Sequence, residues 1–382
     1  MRKKYELTKK ELRARSRRRL VLVELLLLFV LTAGIAAWLY FGIESVTDVP
    51  KLARGGFAAI TRDQPFIANI INTNSGDFKY DGYRTIALFG VDNRSVGEYE
   101  TGNSDCIMVC AVDNDAQEVR IASIYRDTFL DTADGSYHKA NYAYDHGGVE
   151  EALAMLRRNL DIDVTDYVVV DFVALVDAVD AVGGIDLDEG LTEAEASHMD
   201  CGEVAALSGK DTQAAVAGQT HLDGVQTVTY CRIRHTDSDF IRAQRQRRVL
   251  EKLIEKAKAA SLPELAKIVE AVLPEVSTNL SVTEIMELAS AYREYALTET
   301  TGFPFDKRGA EYRGRGQVVV PCTLESNVRK LHFFLYREAD YLPSEDLLRI
   351  SSGIEAYTGF SENAAIDYGK YDTVDRFGVE QQ

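Results

Sequence analysis

Two aspartates stand beside short apolar runs, where their carboxylates could bind a metal ion. Asp92 directly follows the run 85–91, and Asp105 opens the run 106–112. Both runs have the composition of β-strands, so the carboxylates would meet at one end of a sheet if the strands are neighbours. Two carboxylates suit a hard cation such as Mg²⁺, which completes its shell with phosphate oxygens and water, with Mn²⁺ as the alternative. Because aspartate is also common at strand ends and turns, neither residue alone establishes such a site.

Several arginines stand beside predicted element boundaries, and their chemistry matches phosphate. The forked donors of an arginine bind phosphate oxygens two at a time. A single arginine of this kind more often forms a structural salt bridge with one of the many acids. Several arginines together with two carboxylates are what a diphosphate with a divalent ion would require. These boundary arginines are Arg94, Arg126, Arg232, Arg234 and Arg242.

The first turns of a predicted helix over 239–260 carry a further polar pair. On a helical wheel with about 100° per residue, Arg242 and Gln246 fall within about 60° of the apolar Val249 and Leu253. The guanidinium therefore occupies the amino-terminal end of a stripe that continues into the core. A buried arginine needs an anion, and a helix amino terminus adds positive potential of its own. The pattern predicts an anion site at the start of this helix.

Strands and helices alternate along the chain after residue 80, which indicates an α/β fold with a mixed sheet between helical layers. Predicted strands cover 85–91, 106–112, 119–124, 167–170 and 317–320. Predicted helices cover 149–160, 172–182, 239–260 and 326–336, and one more begins at Ser281 with a capping box to Glu284. The acidic segment 192–219, rich in Ala and Gly, is predicted to be an exposed excursion. The last forty residues are weakly patterned.

The composition excludes several classes of protein. With 382 residues, 46% of them hydrophobic and 27% charged, the chain can hold one large or two ordinary domains and is too apolar for a disordered protein. The net charge of −17 argues against nucleic acid as a partner, because phosphate contacts need a basic surface. Five scattered cysteines do not form a disulfide framework, and no Cys or His spacing fits zinc.

The charge is divided sharply between the amino terminus and the rest of the chain. Residues 1–19 carry ten Lys or Arg and two Glu, a net charge of +8, which leaves −25 for the remainder. The segment 25–43 has nineteen uncharged residues, and as a helix it would reach roughly 28 Å, close to one bilayer core. This run exceeds the apolar region of a cleaved signal peptide, and no clear cleavage site follows, so we predict an uncleaved signal anchor. The basic tail then places the amino terminus in the cytoplasm and the acidic domain outside.

The ordered motifs resemble the LytR–CpsA–Psr family of membrane-anchored envelope proteins. The resemblance covers roughly residues 81–340 and implies a single large extracellular α/β domain. The motifs follow the family's order, behind a signal anchor. They are TIALFGVDNR (85–94), NSDCIMV (103–109), SIYRDT (123–128), HKANYAYDHGG (138–148), the stretch 170–185, LDGVQTVTYCRIRH (222–235) and DSDFIRAQRQRRVL (237–250).

The resemblance implies a phosphotransferase with Mg²⁺ as its cofactor. Such a protein takes a glycopolymer (teichoic acid, capsule or similar) from a polyprenyl diphosphate carrier and joins it to a peptidoglycan hydroxyl. It forms a phosphodiester and releases polyprenyl phosphate. The expected partners are therefore the lipid-linked glycopolymer, peptidoglycan and the lipid bilayer, at the plasma membrane of a Gram-positive-type envelope. An apolar tunnel for the polyprenyl tail is implied too, with no lining that the sequence assigns.

The resemblance also implies roles for individual residues. Asp92 and Asp105 would hold Mg²⁺. Apart from the resemblance, the chemistry asks at most for a general base at the acceptor hydroxyl, for which Asp127 and Asp239 are the candidates. The residues expected to grip the diphosphate are Arg94, Arg126, Lys139, Arg232, Arg234, Arg242 and Gln246, with Arg126 acting at the reacting phosphate.

Two positions depart from the family pattern. Asn103 stands where the family often has an arginine, so one cationic contact is expected to be missing. Tyr125 replaces the proline usual before the Arg-Asp pair, which changes loop stiffness more than chemistry.

The predicted organisation of the chain has five parts. The parts are a basic cytoplasmic tail (1–19), a transmembrane signal anchor (20–43), a stalk (44–80), the LytR–CpsA–Psr-type catalytic domain (81–340) and a C-terminal tail (341–382).

Three other functions stay open. A polyprenyl-(di)phosphate binding protein or a polyprenyl-diphosphate hydrolase would use the same arginines and metal. A transcriptional attenuator would need DNA contact by the basic tail, whereas the motifs lie in the outer domain.

Overall fold

The structure is a computed structural model, and the part of the chain that it describes starts at residue 82. The predicted cytoplasmic tail, signal anchor and stalk lie outside the described residues, as do Arg94 and Arg234. No helix among the described residues has the length and apolar character needed to cross a bilayer. The described residues are 82–92, 99, 102–133, 136–233, 239–261, 264–265, 268–269, 272–281, 284–285, 288, 294–368 and 375–376.

The strands of the described residues are β1 (Tyr83–Asp92), β2 (Asn103–Asp113), β3 (Glu118–Ile124), β4 (Phe129–Ala133), β5 (Ser136–Lys139), β6 (Asp166–Val170), β7 (Ile185–Asp186), β8 (His221–Leu222), β9 (Val276–Thr278), β10 (Ala296–Phe303), β11 (Lys307–Tyr312), β12 (Gly316–Pro321) and β13 (Asp375–Arg376). Seven of them form a mixed central sheet in the order β13-β10-β3-β2-β1-β6-β9. Strand β1 pairs antiparallel with β2 and parallel with β6, and β3 pairs antiparallel with β2 and parallel with β10. The pairs β4–β5, β7–β8 and β11–β12 form small antiparallel sheets.

Helices cover both faces of this sheet, as the alternation of elements predicts. Helix α1 bends at Gly147 and Gly148, which have non-helical backbone angles. The Asp171 side chain caps the start of α2 by accepting from the Ala174 N–H at 2.8 Å. The helices are α1 (Asn141–Leu160), α2 (Phe172–Ala181), α3 (Glu193–His198), α4 (Gly202–Ser208), α5 (Gly224–Arg232), α6 (Asp239–Ala259), α7 (Leu324–Tyr336) and α8 (Glu345–Thr358).

The two faces of the sheet bury different cores, because successive side chains of a strand point to opposite faces. In β2, Ile107 and Val109 belong to the large core that includes residues of α1, α7 and α8. The alternate residues Met108 and Cys110 belong to a second cluster, against which Leu250 of α6 packs. Helix α6 therefore lies on one face of the sheet, and its first turns reach the sheet end that β2 begins.

Several elements differ from their predicted bounds. Strands β1 and β2 extend beyond the apolar runs, so that Asp92 and Asp105 lie within strands. The segment 192–219 contains the short helices α3 and α4, and Val204 is fully buried, so the excursion is only partly exposed. Helix α8 lies beyond residue 340, and its Leu347 and Ile350 belong to the main core. The folded core therefore extends into the predicted C-terminal tail.

Candidate active site

The ends of several strands meet at one edge of the sheet. Strands β1 and β6 run parallel, β3 and β10 run parallel, and both β1 and β3 run antiparallel to β2. The carboxyl ends of β1, β3, β6 and β10 therefore lie at the edge where β2 begins. In open α/β sheets, ligands bind beyond the carboxyl ends of strands. We call this edge the carboxyl edge.

A β-bulge places Asp105 at the carboxyl edge beside Asp92. Across β1 and β2, Gly90 pairs with Cys106 and Val91 pairs with Ser104, so Asp105 is the extra residue of the longer strand. A bulge of this kind redirects a side chain and is frequent beside active sites. Asp92 pairs with Asn103 in the next position of the ladder. Asp92 and Asp105 therefore stand at the same end of two neighbouring strands.

The Arg126–Asp127 turn follows β3 at the same edge and is held by backbone hydrogen bonds. The Tyr125 N–H donates to Phe303 O of β10 at 3.0 Å, and the Thr128 N–H donates to Tyr125 O at 2.9 Å. The Asn141 N–H, at the start of α1, donates to Arg126 O at 3.1 Å. Hydrogen bonds to β10 and α1, and one within the turn, therefore fix the backbone from which the Arg126 side chain extends.

The Arg126 guanidinium lies among three carboxylates. Its Nη1 donates to Asp105 Oδ1 at 2.6 Å, and its Nε lies 3.8 Å from Asp127 Oδ2 and 3.7 Å from Asp239 Oδ1. Burial by itself would lower the pKa of Arg126, but the carboxylates of Asp105 and Asp127 outweigh that effect and raise it. The Arg126 side chain is 20% exposed, so solvent reaches this partly buried residue.

Helix α6 brings its amino-terminal residues to the same cluster. The Arg242 Nη2 donates to Asp239 Oδ1, one helical turn earlier, and the Gln246 Nε2 donates to Asp105 O at 3.3 Å. Burial raises the pKa of Asp239, and the Asp127 charge adds to this, whereas Arg242 and Arg126 oppose it. The Asp239 Oδ2 atom is buried and accepts no hydrogen bond within the described part of the chain. The anion site predicted at the start of this helix is occupied by the chain's own carboxylates.

Lys139 completes this group of charges from the end of β5. Its ammonium lies 2.9 Å from Asp127 Oδ1, and β5 pairs with β4, which follows the Arg126–Asp127 turn. The charged side chains brought together are three acids and three bases, which balance one another. They are Asp105, Asp127, Asp239, Arg126, Lys139 and Arg242. We call these six side chains the charge cluster.

Arg232 does not join the charge cluster by direct contact. It is the last residue of α5, and its Nη2 donates to Glu203 Oε2 of α4 at 2.9 Å. Its guanidinium lies 4.4 Å from the centre of the Phe172 ring, and Phe172 begins α2 just beyond the carboxyl end of β6. Arg232 is therefore at the carboxyl edge, paired with an acid from the segment that was predicted to be an excursion.

Lys307 and Arg245 are buried cations near this edge that are not among the predicted site residues. Lys307 is 1% exposed, and its ammonium lies over the rings of Tyr125 and Phe240. Arg245 is 5% exposed, and its Nε donates to Glu195 Oε1 of α3 at 3.2 Å. The sequence carries a weak signal for Arg245 because it shares the first turns of α6 with Arg242. Nothing in the local pattern of Lys307 distinguishes it from a surface lysine of a strand.

The donor set of Asp92 and Asp105 fits a hard divalent cation. Among the residues that the structure describes, no group of three or more His, Cys, Asp or Glu side chains could hold a metal ion. Two carboxylates at adjacent strand positions are instead the small donor set that Mg²⁺ uses when substrate phosphates and water supply the remaining ligands. Because Asp105 Oδ1 accepts from Arg126, a cation bound there would compete with the guanidinium for that oxygen.

Comparison with known proteins identifies the family of this chain. The model of the LytR_cpsA_psr family matches residues 57–314. The chain belongs to this family. The match includes every predicted site residue, from Asp92 to Gln246.

Relatives with names and solved structures support the family assignment and the fold. The Enterococcus faecalis protein named polyisoprenyl-teichoic acid–peptidoglycan teichoic acid transferase TagU is 29% identical over 273 residues, which cover 70% of this chain and 80% of that protein. Bacillus subtilis TagV, named as the same kind of transferase, is 32% identical over 214 residues, about half of each chain at 54% and 52%.

Two crystal structures show the same fold. The structure of B. subtilis TagV has a TM-score of 0.54 at 25% identity and covers 68% of this chain and 98% of its own. The structure of a Streptococcus agalactiae protein has a TM-score of 0.59 at 25% identity and covers 72% of this chain and 94% of its own. The mixed α/β fold predicted from the sequence is therefore confirmed.

Proposed function

We propose that this LytR–CpsA–Psr protein transfers a glycopolymer from a polyprenyl diphosphate carrier to a peptidoglycan hydroxyl. The observation that carries the proposal is the charge cluster, in which Arg126 and Arg242 meet at the carboxyl edge beside Asp105. The names of the TagU and TagV relatives point to the same class of reaction. Both arginines carry forked donors of the kind that phosphate oxygens accept in pairs.

The charge balance of the cluster explains how it could exchange ligands. A lipid-linked diphosphate diester carries two negative charges, and one Mg²⁺ neutralises them. The pair can therefore enter without changing the net charge, and phosphate oxygens would replace carboxylates as partners of Arg126, Lys139 and Arg242. We propose that Gln246 and the arginines at 94, 232 and 234 supply the remaining contacts, of which Arg232 must first leave Glu203.

Asp92 and Asp105 are the proposed ligands of Mg²⁺ or Mn²⁺, which when bound would offset charge on the diphosphate oxygens. Phosphoryl transfer asks the protein mainly for alignment and for stabilisation of charge. Arg126, fixed by backbone bonds from β10 and α1, would align the phosphate that is bonded to the glycopolymer. The acceptor oxygen forms a bond to that phosphorus, the bridging bond to the leaving phosphate breaks, and polyprenyl phosphate departs.

The hydroxyl proton needs an acceptor, for which Asp127 and Asp239 are the candidates. Asp127 is engaged by Lys139 at 2.9 Å, whereas Asp239 has a raised pKa and a buried oxygen that accepts no hydrogen bond in the described part of the chain. A raised pKa makes a carboxylate a stronger base near neutral pH. These features favour Asp239 as the general base, with Asp127 as the alternative.

We also propose that the segment 20–43 anchors the chain in the plasma membrane, with the tail 1–19 in the cytoplasm and the folded domain outside. The uncharged run and the basic tail of the sequence support this orientation. A lipid donor makes the anchor useful, because confinement to the bilayer surface keeps the domain near the diphosphate.

The test incubates the purified full-length chain with polyprenyl diphosphate-linked teichoic acid, peptidoglycan oligomers and Mg²⁺, and analyses the products by mass spectrometry. A phosphodiester-linked conjugate supports transfer. Free phosphorylated polymer would instead identify a hydrolase, and bound but unchanged lipid would identify a binding protein. Asp105→Asn is expected to abolish conjugate formation. The matched control is Asp346→Asn, at an exposed acid of α8 that pairs with Arg349.

A further inference from the structure

Lys307 is buried beneath the carboxyl edge, although lysine is among the residues least often buried. It begins β11, is 1% exposed, and its ammonium donates to Phe305 O at 3.2 Å. The ammonium also lies 5.0 Å from the centre of the Phe240 ring and 5.5 Å from that of Tyr125, with Tyr368 at 5.7 Å. We call these three rings the aromatic cage. A cation placed over ring faces at these distances is attracted by their negative faces.

Two rings of the aromatic cage are direct neighbours of the charge cluster in the sequence. Tyr125 precedes Arg126, and Phe240 follows Asp239. The two rings pack together with their centres 4.7 Å apart. The packed rings therefore connect the backbone of the Arg126 turn to the start of α6. These two segments carry Arg126 and Asp239, whose side chains lie 3.7 Å apart.

The space for the Tyr125 ring is provided by a glycine of β10. A Cβ atom built on Gly302 would lie 1.9 Å from the Tyr125 hydroxyl oxygen, so any larger residue there would displace the ring. The Tyr125 N–H also donates to Phe303 O in the same strand. The Tyr125 ring therefore has its hydroxyl against Gly302 of β10, packs against the Phe240 ring and has the Lys307 ammonium over its face.

The charge of Lys307 is not needed to fill this space. A methionine has a similar length and flexibility, so it can occupy the same space without the charge. Methionine lacks the hydrogen bond to Phe305 O and the attraction between the ammonium and the ring faces, which fixes the rings in orientation as well as in volume. The difference between the two side chains therefore isolates an effect on geometry from an effect on packing.

We propose that Lys307 is a positioning residue, which holds Tyr125 and Phe240 so that Arg126 and Asp239 keep their separation at the reacting phosphate. Lys307 acts through the two rings, and its ammonium contacts neither reactant. The inference rests on the proposed transferase function for its kinetic consequence. Its structural consequence, a slower hydrogen exchange in the segments 125–128 and 239–246, does not depend on that function.

The kinetic test compares Lys307→Met with the parent, as full-length chains, with polyprenyl diphosphate-linked teichoic acid and peptidoglycan oligomers. A displacement of about 1 Å in a catalytic group can cost up to roughly 100-fold in rate. We expect kcat to fall roughly 10-fold, while KM for the lipid donor changes less than about 2-fold because Arg242 and Lys139 still bind the diphosphate. The matched control is Arg308→Met, the next residue of β11, whose guanidinium lies over the Phe360 ring at 4.9 Å. This control is expected to leave kcat and KM unchanged.

A second pair of variants shows whether the effect passes through the ring. Tyr125→Leu removes the ring and is expected to lower kcat as Lys307→Met does, whereas Tyr125→Phe keeps the ring and restores kcat. In the Tyr125→Leu background, Lys307→Met is expected to cause little further loss, because the connection is already broken. If Lys307→Met does not fold, the Tyr125 pair alone decides, since equal kcat for Leu and Phe would contradict the proposal.

Hydrogen exchange measured by mass spectrometry gives the readout that is independent of turnover. Lys307→Met is expected to speed exchange in the segments 125–128 and 239–246 at least 5-fold, and Arg308→Met to leave both unchanged. Unaltered exchange, or an unaltered kcat, would overturn the positioning role. A parent chain that forms no conjugate would refute the transferase function, and the exchange experiment would still decide the role of Lys307.

Discussion

Replacing Arg126 with alanine removes a cation that contacts Asp105 at 2.6 Å and lies within 4 Å of Asp127 and Asp239. If Asp105 is a ligand of Mg²⁺, Arg126 both competes for its oxygen and repels the ion. We therefore expect Arg126→Ala to bind Mg²⁺ more tightly than the parent while it loses turnover. These two effects have opposite signs and can be measured separately.

The sizes of these effects follow from charge and exposure. At a separation of about 5 Å and an effective dielectric constant of about 40–80, a monovalent and a divalent cation repel by about 1.5–3 kcal/mol. The affinity for Mg²⁺ should therefore rise roughly 10- to 100-fold. Without Mg²⁺, removal of one partner from a buried ion pair costs about 3–5 kcal/mol, and the 20% exposure of Arg126 places the expected loss of stability near the lower value. Loss of a preorganised donor to the transition state should lower kcat by about 10²–10³.

Isothermal titration calorimetry measures Mg²⁺ binding, and urea unfolding with and without Mg²⁺ measures stability without adding ionic strength from the denaturant. Mg²⁺ should raise the free energy of unfolding more for Arg126→Ala than for the parent, because at the same concentration a tighter-binding ligand stabilises the folded state more. The control is Arg349→Ala, which breaks an exposed ion pair with Asp346 on α8 and should cost less than about 1 kcal/mol.

An Mg²⁺ affinity for Arg126→Ala equal to or below that of the parent would refute this reasoning. It would mean that the ion does not share the Asp105 oxygen with the guanidinium, and the proposed metal ligands would be wrong. Recovery of kcat in Arg126→Ala on addition of Mg²⁺ would also contradict the reasoning, since it would mean that the metal can replace Arg126.

Three further perturbations test other parts of the molecule. Glu203→Gln should lower KM for the lipid donor roughly 3- to 10-fold with kcat unchanged, because Arg232 no longer has to leave a carboxylate. Steady-state kinetics at low salt would show the change, and an unaltered KM would place Arg232 outside the donor site. Burial raises the pKa of Asp239 from 3.8, so the folded parent loses stability relative to Asp239→Asn as pH rises from about 4 through that raised pKa. Urea midpoints between pH 4 and 8 should therefore diverge in favour of Asp239→Asn, and parallel curves would contradict the shift. Ile354→Ala should destabilise the domain by about 2–4 kcal/mol, because Ile354 is 1% exposed in the main core, and a loss below about 0.5 kcal/mol would show that α8 is peripheral.

Much of the site could be predicted because its residues stand directly at the ends of apolar runs. Asp92 and Asp105 flank runs whose composition predicts strands, and Arg126 follows a third run. The bulge that redirects Asp105 could not be predicted, because an extra residue in a strand leaves no mark in an apolar pattern. The partner of Arg232 could not be predicted either, since Glu203 is one of many acids in a segment with little periodicity.

Strand β10 and helix α8 were both missed in the sequence, for different reasons. Strand β10 contains Thr298, Glu299 and Thr300, a polar sequence that hides a buried strand, because Arg337 pairs with the Glu299 carboxylate. Helix α8 has an N-cap serine and apolar residues three and four apart, so the sequence did carry its signal. The pairing of Glu299 depends on tertiary contacts, which no local pattern contains.

The contacts that assemble the site join distant parts of the chain, and this has a consequence for how the protein matures. The Gln246–Asp105 hydrogen bond closes a separation of 141 residues. Long closures of this kind form late, because loop entropy is lost before the contact rewards it. Until α6 docks, Asp239 and Arg242 are missing from the charge cluster. Recognition of a diphosphate therefore reports a finished fold, and a partly folded molecule should leave its lipid substrate alone.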